Sequence, residues 1–265
     1  MDQPPNQPAN PLPPPPSYPT EYPGPPPGTA PYAYPVASWQ NPTRLAVAIR
    51  WLLIANAVVL GLALVTALYA RGVVNDYADN AITDEELLAG VGLYLAAALA
   101  SGILQVGTGV VTIIWQWRLV KNSQLMNRPG LTFGPGWAIA GWLIPCVNFV
   151  IPYLQLREQW KAADWSYAAG EPSWKQAPVG PVLPMWVAAW VANSLVAAYA
   201  QFSSPATGDD VEAVAEQFTD VVSATIPGYL IAVAAALMFL IVVQQLTERH
   251  IHAVSLAAAG RLGEP

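Results

Sequence analysis

Charge is scarce in this chain. Only 11% of its residues are Asp, Glu, Lys or Arg, while 54% are hydrophobic, and a soluble domain carries roughly 25% charged residues. A water-facing surface cannot be built from so little charge. Lysine occurs three times and no basic stretch exists, so a nucleic-acid footprint is excluded. Cys146 is the single cysteine, which rules out an intrachain disulfide and a cysteine-cluster metal site. His250 and His252 are the only histidines; on a helix, positions i and i+2 point about 200° apart, so the pair cannot chelate one metal and reads as part of a solvated extension. No phosphate-cradling loop is present, because Gly107-Thr108-Gly109 lies inside an apolar run without a preceding strand. Met1 to Asn10 lacks a basic region followed by an apolar core, so insertion is expected to rely on an internal segment.

What the chain does have is five long apolar runs, at about 51–70, 89–117, 133–156, 179–202 and 225–246, none containing Asp, Glu, Lys, Arg or His. Twenty uncharged residues at about 1.5 Å each span the roughly 30 Å hydrocarbon core of a bilayer. The first run is bracketed by Arg50 and Arg71, with Trp51 and Tyr69 at its ends, where amphipathic rings favour the interface. The second is longer than a bilayer requires, and predicts tilt or projection. Along it Ala97, Ser101, Gln105 and Gly109 recur every four residues. Such a stripe allows close helix packing, with Gln105 seeking a partner across the contact; a substrate contact is the alternative. The third run is broken by Pro145, Asn148 and Pro152. It is either a kinked span, with Asn148 satisfying a freed carbonyl, or a re-entrant segment of the kind that binds ligands.

Loop charge separates those readings. The loop after the first run holds Asp76, Asp79, Asp84, Glu85 and Glu86 against Arg71 alone, and the stretch before the fifth holds Asp209, Asp210, Glu212, Glu216 and Asp220 with no basic residue. Arg118, Lys121 and Arg128 follow the second run, and Arg157, Lys161 and Lys175 follow the third. Basic loops stay cytoplasmic. Every loop agrees if the third run returns to the side it entered. The expected fold class is therefore an all-α membrane protein, a small transmembrane helix bundle of four spans plus a proline-broken re-entrant segment or fifth span, with both termini cytoplasmic in the plasma membrane. Residues 43–260 form that membrane domain. Within it, 153–168 is a candidate interfacial amphipathic helix, with Tyr153, Leu156, Trp160, Ala163 and Tyr167 on one face and Arg157, Glu158, Lys161 and Asp164 largely opposite.

Residues 1–42 hold 16 of the 27 prolines and read as a disordered cytoplasmic tail, too poor in aliphatic side chains to offset the entropy of ordering. Pro15-Pro16-Ser17-Tyr18 matches a P-P-x-Y pattern that aromatic grooves bind.

The stretch Phe133-Gly134-Pro135-Gly136-Trp137 through Gly141-Trp142, Pro145-Cys146-Val147-Asn148 and Pro152-Tyr153 to Arg157-Glu158-Gln159-Trp160, preceded by Trp115, Trp117-Arg118 and Asn122, resembles an uncharacterised actinobacterial membrane domain family, domain of unknown function 4328. The resemblance covers roughly residues 45–255 and implies a bacterial plasma-membrane protein with several spans. It implies no activity and no catalytic residues.

Runs without ionisable groups exclude a proton-coupled carrier, a voltage sensor and a carboxylate-dyad protease. With no histidine in those runs, Cys146 lacks a base to activate it. The expectation is a non-enzymatic protein without cofactor, embedded in the lipid bilayer and acting by interaction, with a cytoplasmic protein partner recruited by the tail. The alternative is a small transporter or channel centred on the third run.

Overall fold

The computed structural model describes residues 39–202 and 211–264. The proline-rich tail with its P-P-x-Y motif, and Asp209 and Asp210, lie outside the described residues. Among those described, all regular structure is helical: α1 (Thr43–Ala78), α2 (Asp84–Leu125), α3 (Trp137–Leu143), α4 (Ile151–Ala162), α5 (Val182–Phe202) and α6 (Val211–Ala258), with short 3₁₀ turns at Val147–Phe149 and Pro172–Gln176. Helices α1, α2, α5 and α6 are long and apolar enough to cross a membrane.

Helices α1, α2 and α6 outrun their apolar runs, whereas α5 lies within its own. At about 1.5 Å per residue, the 42 residues of α2 extend well beyond a bilayer. The extension is packed rather than loose: Asn122 exchanges hydrogen bonds with the backbone of Gln40 at 3.0 and 2.8 Å. Gln40, assigned to the tail by composition, is thus docked on the bundle. At its other end α2 starts with a capping box, in which Thr83 and Glu86 satisfy each other's backbone donors.

Helix α1 carries the clearest packing pattern. Ala46, Ile49, Leu53, Asn56, Leu60, Ala63, Ala67, Ala70 and Val74 are all buried and alternate in steps of three and four. That 3.5-residue period holds one seam against the neighbouring helices, and its alanines permit close approach. The tightest α1–α2 contact is at Gly90, where an added Cβ would lie 2.8 Å from Val73 Cγ1. Val73 has little rotamer freedom in a helix. Replacing Gly90 by Ala gains about 0.5–1 kcal/mol of helix propensity, but overpacking costs about 1–3 kcal/mol. The net expectation for Gly90→Ala is a lower melting temperature in detergent; an unchanged or higher one would show that the helices do not meet there.

The outer surface is apolar. Val58, Leu62 and Val65 of α1, Leu99, Ile103 and Val106 of α2, Leu195 of α5 and Leu237 of α6 are all exposed. Such a belt is a liability in water and a solvated surface in lipid. Polar side chains lie inside instead, among them Asn56, Thr112, Gln116, Ser123, Gln155, Gln159 and His250.

The third apolar run forms a hairpin. Helices α3 and α4 meet at 114°, and the turn between them places Cys146 at φ +64°. Glu158 on α4 accepts hydrogen bonds from the backbone N–H of Thr132 and Phe133 at 2.6 and 3.0 Å, so the hairpin ends where it began. Its tip packs on Trp190 of α5 through Trp142 and Phe149, with ring centroids 5.8 and 5.6 Å apart. That is eight residues into α5, a depth of about 12 Å. Leu143, Ile144, Phe149 and Val150 are exposed at the tip, within the apolar belt.

The helix ends therefore gather at two poles. One holds the start of α1, the end of α2, both ends of the hairpin, the start of α5 and the end of α6. It carries every Lys and Arg of the chain except Arg71. The other joins α1 to α6 through a 2.9 Å bond from Thr219 Oγ1 to Asn75 Oδ1, and holds Asp76, Asp79, Asp84, Glu85, Glu86, Glu216 and Asp220. Five successive crossings would put Arg128 and Asp164 at opposite poles; instead they touch.

Candidate functional site

A cavity of about 200 Å³ lies among α1, α2, α5, α6 and the hairpin tip. Its two sides differ in chemistry. Asn56, Gln105, Thr108, Thr112 and Asn193 supply amides and hydroxyls, and Trp142, Trp186, Trp190 and Phe239 supply rings. Trp186 stacks on Phe239 at 4.7 Å and on Trp190 at 5.9 Å, which fixes the aromatic side in place. On the polar side Ser101 donates to Asn56 Oδ1 across the α1–α2 contact at 3.2 Å, and Gln105 donates to Ser101 at 3.2 Å. Thr112 Oγ1 is buried and has no hydrogen-bond partner among the described residues. No ionisable side chain lines the space, so it offers stacking surfaces, hydroxyls and neutral hydrogen bonds.

The floor is Trp142, held by a ladder of amides. Its Nε1 donates to Gln116 Oε1 at 2.8 Å, and Gln116 Nε2 donates to Gln155 Oε1 at 2.7 Å. An indole N–H can only donate, so Trp142 sets the orientation of Gln116, and Gln116 sets that of Gln155. Gln155 Nε2 is then left without a partner, as is Gln159 Nε2 one turn on. Gln159 also meets Ser123 of α2. Ser123 faces His250 Nε2 at 3.4 Å, while His250 Nδ1 faces the Leu246 carbonyl at 3.1 Å. A carbonyl only accepts, so Nδ1 carries the hydrogen.

Below the ladder, Arg128 straps the hairpin to the bundle. Its guanidinium donates to four carbonyls, those of Ala162 and Tyr167 at 2.9 Å, Ala168 at 2.9 Å and Asp164 at 2.6 Å. These include the end of α4, where unsatisfied carbonyls attract a cation. Burial lowers the Arg128 pKa from its ordinary value, and the charge of Asp164 acts against that shift.

The residues singled out by sequence are distributed unevenly over this arrangement. Gln105 and Gly109 line the cavity, and Ser101 supports it. Gln105 bonds within its own helix, so the cross-helix bond expected of it is made by Ser101. Ala97 is half-buried, and a Cβ at Gly109 would meet nothing within 4 Å, so no close packing occurs there. Steps of four residues drift about 40° each around a helix of 3.6 residues per turn. The stripe that keeps its face is Ser101, Thr108, Thr112, Gln116 and Ser123, all buried.

Pro145 is exposed in the turn, and Pro152 falls in the first turn of α4, where a missing donor costs little. Asn148 Oδ1 is buried without a hydrogen-bond partner among the described residues, and a freed carbonyl could be served only by its Nδ2. The interfacial helix is also corrected. Helix α4 ends at Ala162, before Tyr167, and Trp160 is 5% exposed, inside the main core with Leu156, Leu183 and Trp186. Its apolar face covers the bundle rather than lipid. His250 is fully buried rather than solvated, and His252 packs on Trp165 at 4.6 Å. Among the described residues no cluster of His, Cys, Asp or Glu could hold a metal.

Sequence reading missed Asn56, Thr112, Trp142, Gln116, Gln155 and Gln159 as a group. The available signal was Gln155 and Gln159 four apart, and Gln116 and Ser123 seven apart, each pair on one helical face.

No curated protein and no solved structure matches this chain. The family model described as domain of unknown function (DUF4328) matches residues 78–248, from the end of α1 to the buried extension of α6, and so contains the hairpin, its amide ladder and most of the cavity. The match covers more than half of the sequence and agrees with the resemblance carried by the hairpin motif; the chain belongs to the DUF4328 family.

Proposed function

We propose that this membrane protein is a non-enzymatic binder of a small uncharged molecule, which enters the central cavity and rests on the hairpin tip. The observation that carries the reading is the cavity itself: aromatic rings face amides and hydroxyls, with no charge on any side. A flat or branched apolar body would stack on Trp186 and Trp190, and a neutral polar group would reach Thr112 or Asn193. A charged ligand would find no counter-ion in a low-dielectric interior. About 200 Å³ lies below the range of about 300–1,000 Å³ usual for drug-sized ligand sites, which favours a compact molecule. Because Trp142 is both cavity wall and hairpin tip, occupancy bears directly on the hairpin, and a transport role would use that link.

The concentration of Lys and Arg at one pole supports placing that pole, and with it both termini, in the cytoplasm. Recruitment of a cytoplasmic partner by the proline-rich tail is a separate activity that the cavity does not require.

Gly109→Leu tests the reading. The glycine borders the cavity, and its missing side chain faces open space, so leucine would fill the site without a clash. Wild type purified from its own membranes is expected to retain an uncharged compound detectable by mass spectrometry. Gly109→Leu should lose it at an unchanged melting temperature, and removal of residues 1–38 should leave it bound. Equal small-molecule content in wild type and Gly109→Leu would sink the proposal.

A further inference from the structure

A second recess, of about 350 Å³, opens at the basic pole on the outer side of the hairpin. Three cationic side chains line it from two elements, Arg157 and Lys161 of α4 and Lys175 of the 3₁₀ turn, together with Trp174, Leu154 and Phe133. Among the described residues none of the three cations is paired with a carboxylate; the ion pairs present are Arg249 with Asp164 and Arg261 with Glu264. The one acid in the recess, Glu158, is engaged by the backbone N–H groups of Thr132 and Phe133. The recess thus keeps an excess of positive charge.

Its parts are held in place. Lys161 donates to the Lys175 carbonyl at 2.6 Å, tying the two elements together. Trp174 is buried and anchored by its Nε1 to the Pro129 carbonyl at 3.1 Å. Gly130 makes room for the Lys175 ammonium: a Cβ there would stand 2.7 Å from Lys175 Nζ.

Position gives the ligand class. Phe133 lies at the start of the hairpin and Leu154 on α4 between Glu158 and the tip, where Leu143, Phe149 and Val150 are exposed in the apolar belt. A phosphate seated among the three cations would have acyl chains lying along that exposed surface. We propose that this recess binds the headgroup of an anionic phospholipid, which braces the hairpin from outside. Basic pockets at membrane depth recognise such headgroups by this combination of cations and adjoining apolar surface. The assignment is independent of the central cavity.

The test is reconstitution of the full chain with phosphatidylglycerol or phosphatidylcholine, read by native mass spectrometry and by melting temperature. Wild type is expected to retain one phosphatidylglycerol with about tenfold or greater preference and to melt at a higher temperature in its presence. The triple change Arg157→Gln, Lys161→Gln and Lys175→Gln should abolish both effects. Lys121→Gln, at the same pole but stacked on Trp117, should keep them, and so should Arg157→Lys, which preserves the charge in the recess. Equal retention of the two lipids, or equal loss in Lys121→Gln, would overturn the proposal. So would inorganic phosphate in detergent raising the melting temperature as much as phosphatidylglycerol does.

Discussion

Arg128→Ala is expected to be the most damaging single substitution in the basic pole. It removes a buried guanidinium and leaves the carbonyls of Ala162, Asp164, Tyr167 and Ala168 without their donor. Each charge-assisted bond is worth about 1.5–3 kcal/mol in isolation, but four bonds from one group do not add. A total of about 3–5 kcal/mol matches losses seen when a buried charged partner is deleted. In thermal melting this is a fall of about 10 °C or more for a chain of this size. Arg128→Lys should recover only a minor part, because a compact ammonium cannot serve carbonyls in four directions as a planar fork does. Cysteine labelling at an introduced residue near Lys161 should speed up in Arg128→Ala, as the end of α4 loosens. Arg128→Lys melting like wild type would mean that charge alone is needed at this position, and that the fork geometry is irrelevant.

Gln116→Leu comes second. The change removes the acceptor for Trp142 Nε1 and the donor for Gln155 Oε1, orphaning a group on each of two partners. At about 1–3 kcal/mol for each buried unsatisfied group, the expected loss is about 2–4 kcal/mol. Trp142 would also be free to turn into the cavity, so the compound retained by wild type should be lost. Adding Gln155→Leu removes the stranded oxygen together with Nε2, which already lacks a partner. The double variant should therefore be less destabilised than the sum of the two single changes, by about 1 kcal/mol or more. Strict additivity of the three melting curves would show that the amides do not act as a ladder.

Both predictions fall on residues that sequence reading treated as background. Arg128 counted as one positive charge in a loop, and Gln116 and Gln155 were polar positions in apolar runs. Their importance depends on who faces them across the bundle, at separations of 34 residues for Arg128 with Ala162 and 39 for Gln116 with Gln155. Periodicity along one helix reports which residues share a face, but not what that face meets. The four-residue stripe illustrates the limit. Ala97 to Gly109 looked like a packing seam, yet only Ser101 in it joins a cross-helix bond, and Gly109 borders open space instead of a neighbouring backbone.

The hairpin shows the opposite case. Arg118, Lys121 and Arg128 on one side of the third run and Arg157, Lys161 and Lys175 on the other already favoured a chain that returns where it entered over a fifth span. A charged loop is costly to carry across hydrocarbon, so loop charge records topology without any knowledge of packing. The amphipathic pattern after Tyr153 was just as visible and led the wrong way. A stripe with Leu156 and Trp160 opposite Arg157 and Lys161 fits a lipid surface and a protein core equally well, and the core took it.

By itself, then, the sequence determined the apolar lengths and four helices able to cross a membrane, and its loop charges favoured a return of the third run over a fifth span. Each follows from the energy of moving single side chains between water and hydrocarbon, which is local and additive along the chain. Only the tertiary structure decided that the interior is lined with amides and hydroxyls, that Trp142 forms the floor of a cavity and that Arg128 holds the hairpin. Those features exist because side chains from distant helices meet, and a buried polar group takes its meaning from its partner.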